Sequence, residues 1–461
     1  MAKFLRLVGN EWKKQFSRVA TWVMLALLVL STIFFALFAG LSDKIVGAFY
    51  SEDAYWPNEL EYNRQYASEV DKNGNSTEYA IDCQVRVVYY SYLIDHSVST
   101  DDWRYTTGLV MDMADASVRG PQKEAARLTM ILEKQDIKAY YEWRLEKQIA
   151  AEPDFESIYR WAAEYLIANE VTPGNSDWRG ATVEEIADAK VTLQKEEKLL
   201  KEGSVDYSES RYENAKNIEL LGLYRLEHNQ RSNPTDAFTG KSSGEGFWDV
   251  MVSSLTLITM VGLICIVIGG SIVASEFSAG TIKFLLIAPV KRWKILMSKY
   301  VATLLIGAAA TAVIFVLTFL LSLVFMGGAD AFLPTLSVKN GLVVKGSPYL
   351  RLLGLYLLAG VKVVVMTTLA FAVSSLVHSS ALAIGISMFA YLAGNLIVTI
   401  LRLMDLDFAR YLIFANMDFA AIVQKTTGFV HHSLPAAILI VSLHMLVFLL
   451  TAWDGFVRRE V

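Results

Sequence analysis

Few stretches of this chain combine residue types that could do chemistry. Thr239-Gly240-Lys241-Ser242 contains the Gly-Lys-Ser that closes a phosphate-binding loop. That loop also needs a glycine five residues before Gly240, where Thr235 stands, and an apolar strand ahead of it, which the sequence lacks; the segment reads as a linker. His431-His432 offer two imidazoles with no further ligand at zinc-site spacing. The two cysteines, Cys83 and Cys265, fall in an acidic stretch and an apolar run, so they form no disulfide framework and read as small packing residues. There is no HExxH, no paired CxxC and no nucleophile elbow. The expectation is a chain that is not an enzyme and binds no metal, cofactor or nucleic acid itself.

Lys362 is the exception among the apolar runs. It lies near the centre of one, where a charge costs a few kcal/mol unless it faces a partner or water. An intramembrane functional role and a packing or snorkelling role stand about level, because a single helical span offers Lys362 no obvious carboxylate. His444, in the last run, reads as a hydrogen-bonded packing residue.

The elements that must position these residues follow from composition. Of 461 residues 54% are hydrophobic, which is too greasy for a soluble domain and points to an integral membrane protein. Six runs approach the roughly 20 residues that cross a bilayer, at 19–42, 248–274, 300–326, 350–377, 380–401 and 435–454. The fourth and fifth are separated only by His378-Ser379-Ser380, so a tight hairpin joins them. The paired glycines Gly269-Gly270 in the second run allow a close helix approach, between copies or within the chain.

Charge is segregated along the chain. Residues 43–247 hold 23 Lys+Arg against 38 Asp+Glu, net −15, while the rest of the chain is basic. Basic residues cluster before the first run, in 275–299 and at the C-terminus, which six spans place on one side. By the positive-inside rule that side is the cytoplasm, with both termini and a tail at 455–461 there, in the cell membrane. Residues 1–18 form an amphipathic interfacial helix, with Leu5, Val8, Trp12 and Phe16 on one face and Lys3, Arg6, Lys13 and Lys14 opposite. The acidic block at 43–247 is then an extracytoplasmic domain, largely helical. Helical spacing runs from Gln122 to about Ala151, from Thr182 to Glu202 and from about Ser208 to Asn229, whereas Phe49 to Tyr105 is ambiguous. Residues 402–434 read as short outer helices. The fold class is thus an all-α polytopic membrane protein with six transmembrane helices, an interfacial helix and a large helical insertion.

The loop from Ser275 to Lys299 carries five basic residues and also an apolar face, Ile282, Leu285, Leu286 and Pro289, after an Ala279-Gly280-Thr281 turn. A mere connector needs no such face. Glu276, then Gly280-Thr281, Leu285-Leu286, Pro289, Lys291-Arg292 and Lys299 resemble the signature of the ABC type-2 exporter permease family. Its six spans, interfacial helix and short outer helices look like that family too, and the large insertion resembles its sodium-exporter-type and peptide-immunity branches.

The resemblance implies a coupling helix that docks on a separate cytoplasmic ABC ATPase, which binds the ATP and Mg that this chain does not. Glu276, Gly280, Thr281, Ile282, Leu285, Leu286, Pro289, Lys291 and Arg292 would receive the ATPase stroke, with Glu11, Trp12, Lys13 and Lys14 beside them. A second permease copy, or a related permease, would complete the path through the lipid bilayer. Two alternatives are a membrane-anchored sensor whose acidic extracytoplasmic domain binds ligand, and the four-span mechanical type of ABC subunit.

Overall fold

The computed structural model describes residues 2–49, 52–70, 74–239, 246–281, 290–427 and 433–458. Among them six helices are long and apolar enough to cross a membrane: Val19–Ala39, Phe247–Ser278, Arg292–Phe325, Pro348–Leu376, Ser380–Leu403 and Leu434–Val457, here spans 1 to 6. The chain is a helical membrane protein, as its composition requires.

Local chemistry sets where the spans begin and end. Span 4 starts with Ser347 accepting a hydrogen bond from the Leu350 amide and with Pro348 in the first turn, where a missing N–H costs nothing. It stops at Leu376, and Ser379 caps span 5 by accepting from Leu382, so the turn at His378-Ser379 is as tight as the sequence predicts.

Two compact units contain these elements: one of Met1–Leu41, Pro234–Phe332 and Ser347–Val461, the other of Ser42–Asn233 and Leu333–Gly346. In the first, span 2 is the central helix, with 72% of its apolar window buried against 17%, 17% and 11% for spans 1, 5 and 6. Its glycines explain how it gets there. A β-carbon on Gly269 would lie 3.3 Å from the Thr367 carbonyl oxygen, and one on Gly270 3.2 Å from the Ile384 α-carbon. The glycine pair therefore serves packing within the chain, against spans 4 and 5.

The second unit has its own core, including Leu93, Trp103, Leu109, Leu128, Leu132, Tyr140, Val171 and Val183. The ambiguous aromatic stretch resolves into helices Glu52–Tyr66, Glu78–Asp95 and Trp103–Thr106. The stretch from Gln122 to Ala151 is two helices rather than one, Gln122–Lys134 and Ile137–Ala151. Gln135 turns left-handed at φ 50°, and Asp136 caps the second helix by accepting from the Ala139 amide at 2.9 Å. The long helices Trp178–Lys201 and Glu209–Glu227 pack together, with Gly222 giving way to Ile186.

This unit does not coincide with 43–247, and it is not wholly helical. Residues 234–247 belong to the membrane unit, while the connection between spans 3 and 4 contributes an antiparallel hairpin of β1 (Thr335–Lys339) and β2 (Leu342–Gly346). Its turn is Asn340-Gly341, with φ of 52° and 75°, the positive values that a two-residue hairpin turn demands. Asn233 fixes the hairpin with its side chain, accepting from the Leu336 amide at 2.9 Å and donating to the Leu336 carbonyl at 3.3 Å; Gln230 donates to the Pro334 carbonyl at 3.1 Å.

Candidate functional site

The N-terminal helix spans Ala2–Phe16, and the side packed against the other helices takes in residues beyond its apolar stripe. Val8 is buried and Trp12 and Phe16 are half-buried, but Leu5 is 64% exposed. In its place Glu11 and Gln15 turn inward, so the face is Val8, Glu11, Trp12 and Gln15 at i, i+3, i+4, i+7. Lys3, Arg6 and Lys13 stay in solvent. A helix that turns a carboxylate inward needs a cation to meet it.

Span 3 supplies that cation. Lys299 has no exposed surface, and its ammonium donates to Glu11 Oε1 and to Glu276 Oε1, each at 2.9 Å. Lys14 reaches the same Glu276 oxygen at 2.5 Å, and the Thr281 hydroxyl donates to Glu276 Oε2. Two lysines and two glutamates balance, and the two Lys299 contacts have the length typical of charge-assisted bonds. The Glu11 Oε2 and Gln15 Nε2 atoms, one turn apart, are buried without a hydrogen-bond partner.

A break in span 2 presents Glu276 to this cluster. The regular helix ends at Ile272, and the amides of Val273 and Ala274 are taken by the Ser374 hydroxyl of span 4, at 3.2 and 3.0 Å. The chain re-enters a short helix, Ala274–Ser278, whose inward-facing Glu276 is 3% exposed. Gly280 follows at φ 69°, a left-handed conformation suited to glycine, and returns Thr281 to the carboxylate. The break, the glycine and the threonine all act to hold one carboxyl group.

Of the residues singled out in sequence, the structure thus gathers Glu11, Lys14, Glu276, Thr281 and Lys299, the last named there only as part of the family-like spacing and given no site role. Trp12 packs beside them with its ring 5.0 Å from that of Phe16. Lys291 is exposed at the start of span 3, next to half-buried Arg292. Ile282, Leu285, Leu286 and Pro289 lie outside the described residues, as do His431 and His432. Gln15 and Lys299 were missed as site residues. The available signal for Lys299 was a lone lysine among Ile295, Leu296, Tyr300 and Val301, where a charge demands a partner.

Lys362 corrects a second expectation. It does have a carboxylate: Asp418, from the connection between spans 5 and 6, with Oδ2 at 3.4 Å, while Thr259 Oγ1 of span 2 lies at 3.1 Å. The partner belongs to another segment, 56 positions away, which is why inspection of the span alone misses it. His444 bonds to the Ile440 carbonyl of its own helix at 2.8 Å, a packing role.

Six apolar helices, one of them a broken central span, define the class: a polytopic helical membrane protein. Residues 230–461 match the family described as "Protein of unknown function (DUF2705)", and the chain belongs to that family. It is 32% identical over 300 residues to the uncharacterized protein YhcI of Bacillus subtilis (strain 168), covering 64% of this chain and 89% of that one. It is also 28% identical over 218 residues to the uncharacterized membrane protein YdbK of the same organism, covering 47% of this chain and 84% of that one. No solved structure matches. The family match begins near the end of the insertion and takes in span 2 through span 6, the part that holds Glu276, Lys299 and Lys362.

Proposed function

We propose that this chain is the permease subunit of an ATP-driven ABC exporter, with its termini and the 275–299 loop in the cytoplasm and the 42–233 unit on the other side. The observation that carries the reading is Lys299, which ties the interfacial helix through Glu11 to the end of span 2 through Glu276. A loop that receives force transmits it only if its two ends are fixed to something rigid. Here the loop leaves just after Glu276 and enters span 3 at Arg292, about two turns before Lys299, and one ion cluster clamps the flanking helices to each other and to the interfacial helix. Binding ATP on the partner would close the ATPase against the apolar residues Ile282, Leu285 and Leu286, and the clamp would pass the displacement to spans 2 and 3. Lys291 and Arg292 supply charge for an acidic rim on that partner. Two permease copies, or this chain with a related one, would enclose the path taken by a peptide, lipid-like or cationic substrate.

The test is co-isolation. The purified chain is expected to bring down a nucleotide-binding subunit and to stimulate its ATPase activity. Reversing Lys291 and Arg292 to Glu should weaken both, and replacing Leu285 and Leu286 with Asp should abolish them. Unchanged co-isolation and stimulation in the quadruple variant would remove the reading.

A further inference from the structure

Lys362 sits at the midpoint of span 4, about 21 Å of helix from either end of Pro348–Leu376 at 1.5 Å per residue. The connection between spans 5 and 6 brings Asp418 to it, and beside the pair is a cavity of about 250 Å³. Thr256 and Thr259 of span 2 line it, with Lys362, Asp418, Gln424 and Thr426. An intramembrane ion pair built only to hold segments together would close to the 2.7–2.9 Å of a charge-assisted bond and exclude the cavity. This one does neither. Lys362 keeps one of its three donors beyond those aimed at Thr259 and Asp418, and it is 16% exposed. Asp418 uses Oδ1 to cap the Ala421 amide at 3.1 Å and leaves Oδ2 to Lys362 alone, at 3.4 Å.

We propose that this cavity binds a small zwitterion bearing a primary ammonium and a carboxylate or phosphate. Its anionic group takes the free donor of Lys362 beside the Thr259 hydroxyl, and its ammonium donates to Asp418 Oδ2 and the Gln424 side-chain oxygen. Opposite charges held slightly apart match a ligand that carries both. The volume lies below the roughly 300–1,000 Å³ of pockets for drug-sized ligands, so the site takes one amino acid or one lipid headgroup of the ethanolamine-phosphate kind. The larger groove of about 670 Å³ between spans 3 and 4 is a separate space. Its floor at Gly360 lies about 200° around the helix from Lys362, and its walls are residues such as Leu305, Val316 and Leu357.

The experiment uses the full chain in nanodiscs of phosphatidylcholine, whose quaternary ammonium has no hydrogen to donate. In one arm glycine or O-phosphoethanolamine is titrated; in the other phosphatidylethanolamine replaces part of the lipid, and native mass spectrometry counts what is retained. The expected result is a saturable rise in the unfolding midpoint in one arm, which names the source. Lys362→Met and Asp418→Asn should each weaken apparent affinity at least tenfold. If either fails to fold, Thr259→Val and Gln424→Ala, which leave the ion pair in place, should each weaken it several-fold. No stabilisation in either arm, or full affinity in the variants that fold, overturns the site. The readout involves neither ATPase nor transport, so it stands or falls apart from the permease reading.

Discussion

Lys299 and Lys362 both lie among apolar residues of spanning helices, and their surroundings are opposites. Lys299 is fully buried, with carboxylates on two sides at 2.9 Å, and one of those carboxylates receives a second lysine and a threonine. Lys362 is partly open, with one carboxylate at 3.4 Å and a cavity at its side. The same residue type thus does two jobs. Where every charge is answered at short range, desolvation is offset and the cluster is a clamp, because removing any member strands another in a low-dielectric site. Where the pair stands 3.4 Å apart beside a cavity, its contribution to stability is small and a third group can enter. Position in the sequence does not distinguish them; the partners do.

Removing the clamp should have the largest effect. Lys299→Met strands Glu11, whose ammonium partner is Lys299, and leaves Glu276 to Lys14 and Thr281, and is expected to cost about 3–5 kcal/mol of stability. The unfolding midpoint in detergent would show it as the greatest loss in the series. The double variant Lys299→Met, Glu11→Gln should recover part of this loss, since the stranded charge has gone with its partner; an additive loss would mean that the two do not interact.

The two carboxylates should then separate. Glu276 is 3% exposed and accepts from Lys14, Lys299 and Thr281, whereas Glu11 is 13% exposed and accepts from Lys299. A hydrogen bond to a charged group contributes about 1.5–3 kcal/mol, so Glu276→Gln, with three such bonds, should fall above that range and Glu11→Gln, with one, within it. Equal losses, read from the same unfolding curves, would show that Lys14 and Thr281 add nothing to the cluster.

The sequence made the spans legible and left the pairings hidden, for a physical reason. A membrane helix announces itself through some 20 consecutive apolar residues, a local property, and the stop between spans 4 and 5 is written in three adjacent residues. An ion pair between Lys299 and Glu11 joins residues 288 positions apart, and nothing local encodes it. At the N-terminal helix, amphipathicity picked out the face of Leu5, Val8, Trp12 and Phe16 but gave no sign of Glu11 turning inward, because a pattern of apolar residues cannot know that a buried lysine waits opposite. Other misses were avoidable. Asn340-Gly341 between Val338 and Leu342-Val343 is a strong short-range hairpin signal, and Asp136 is a helix cap that splits 122–151. The linkage of that hairpin to Asn233 is again a long-range fact, 103 positions apart.

The smallest effect should come from the open pair, and it decides whether the contrast is real. Lys362→Met replaces the ammonium with an apolar group of similar length, so the side chain can still fill its place along span 4. Asp418→Asn keeps an oxygen to cap the Ala421 amide. The pair stands 3.4 Å apart beside a polar-lined cavity, so little attraction is lost in either variant, and each should cost no more than about 1 kcal/mol. Unfolding midpoints close to the parent's, beside the deep drop in Lys299→Met, would establish one lysine as a clamp and the other as an accessible group. A drop as large as that of Lys299→Met would mean that the connection between spans 5 and 6 is held down by its ion pair, and that Lys362 is a second clamp.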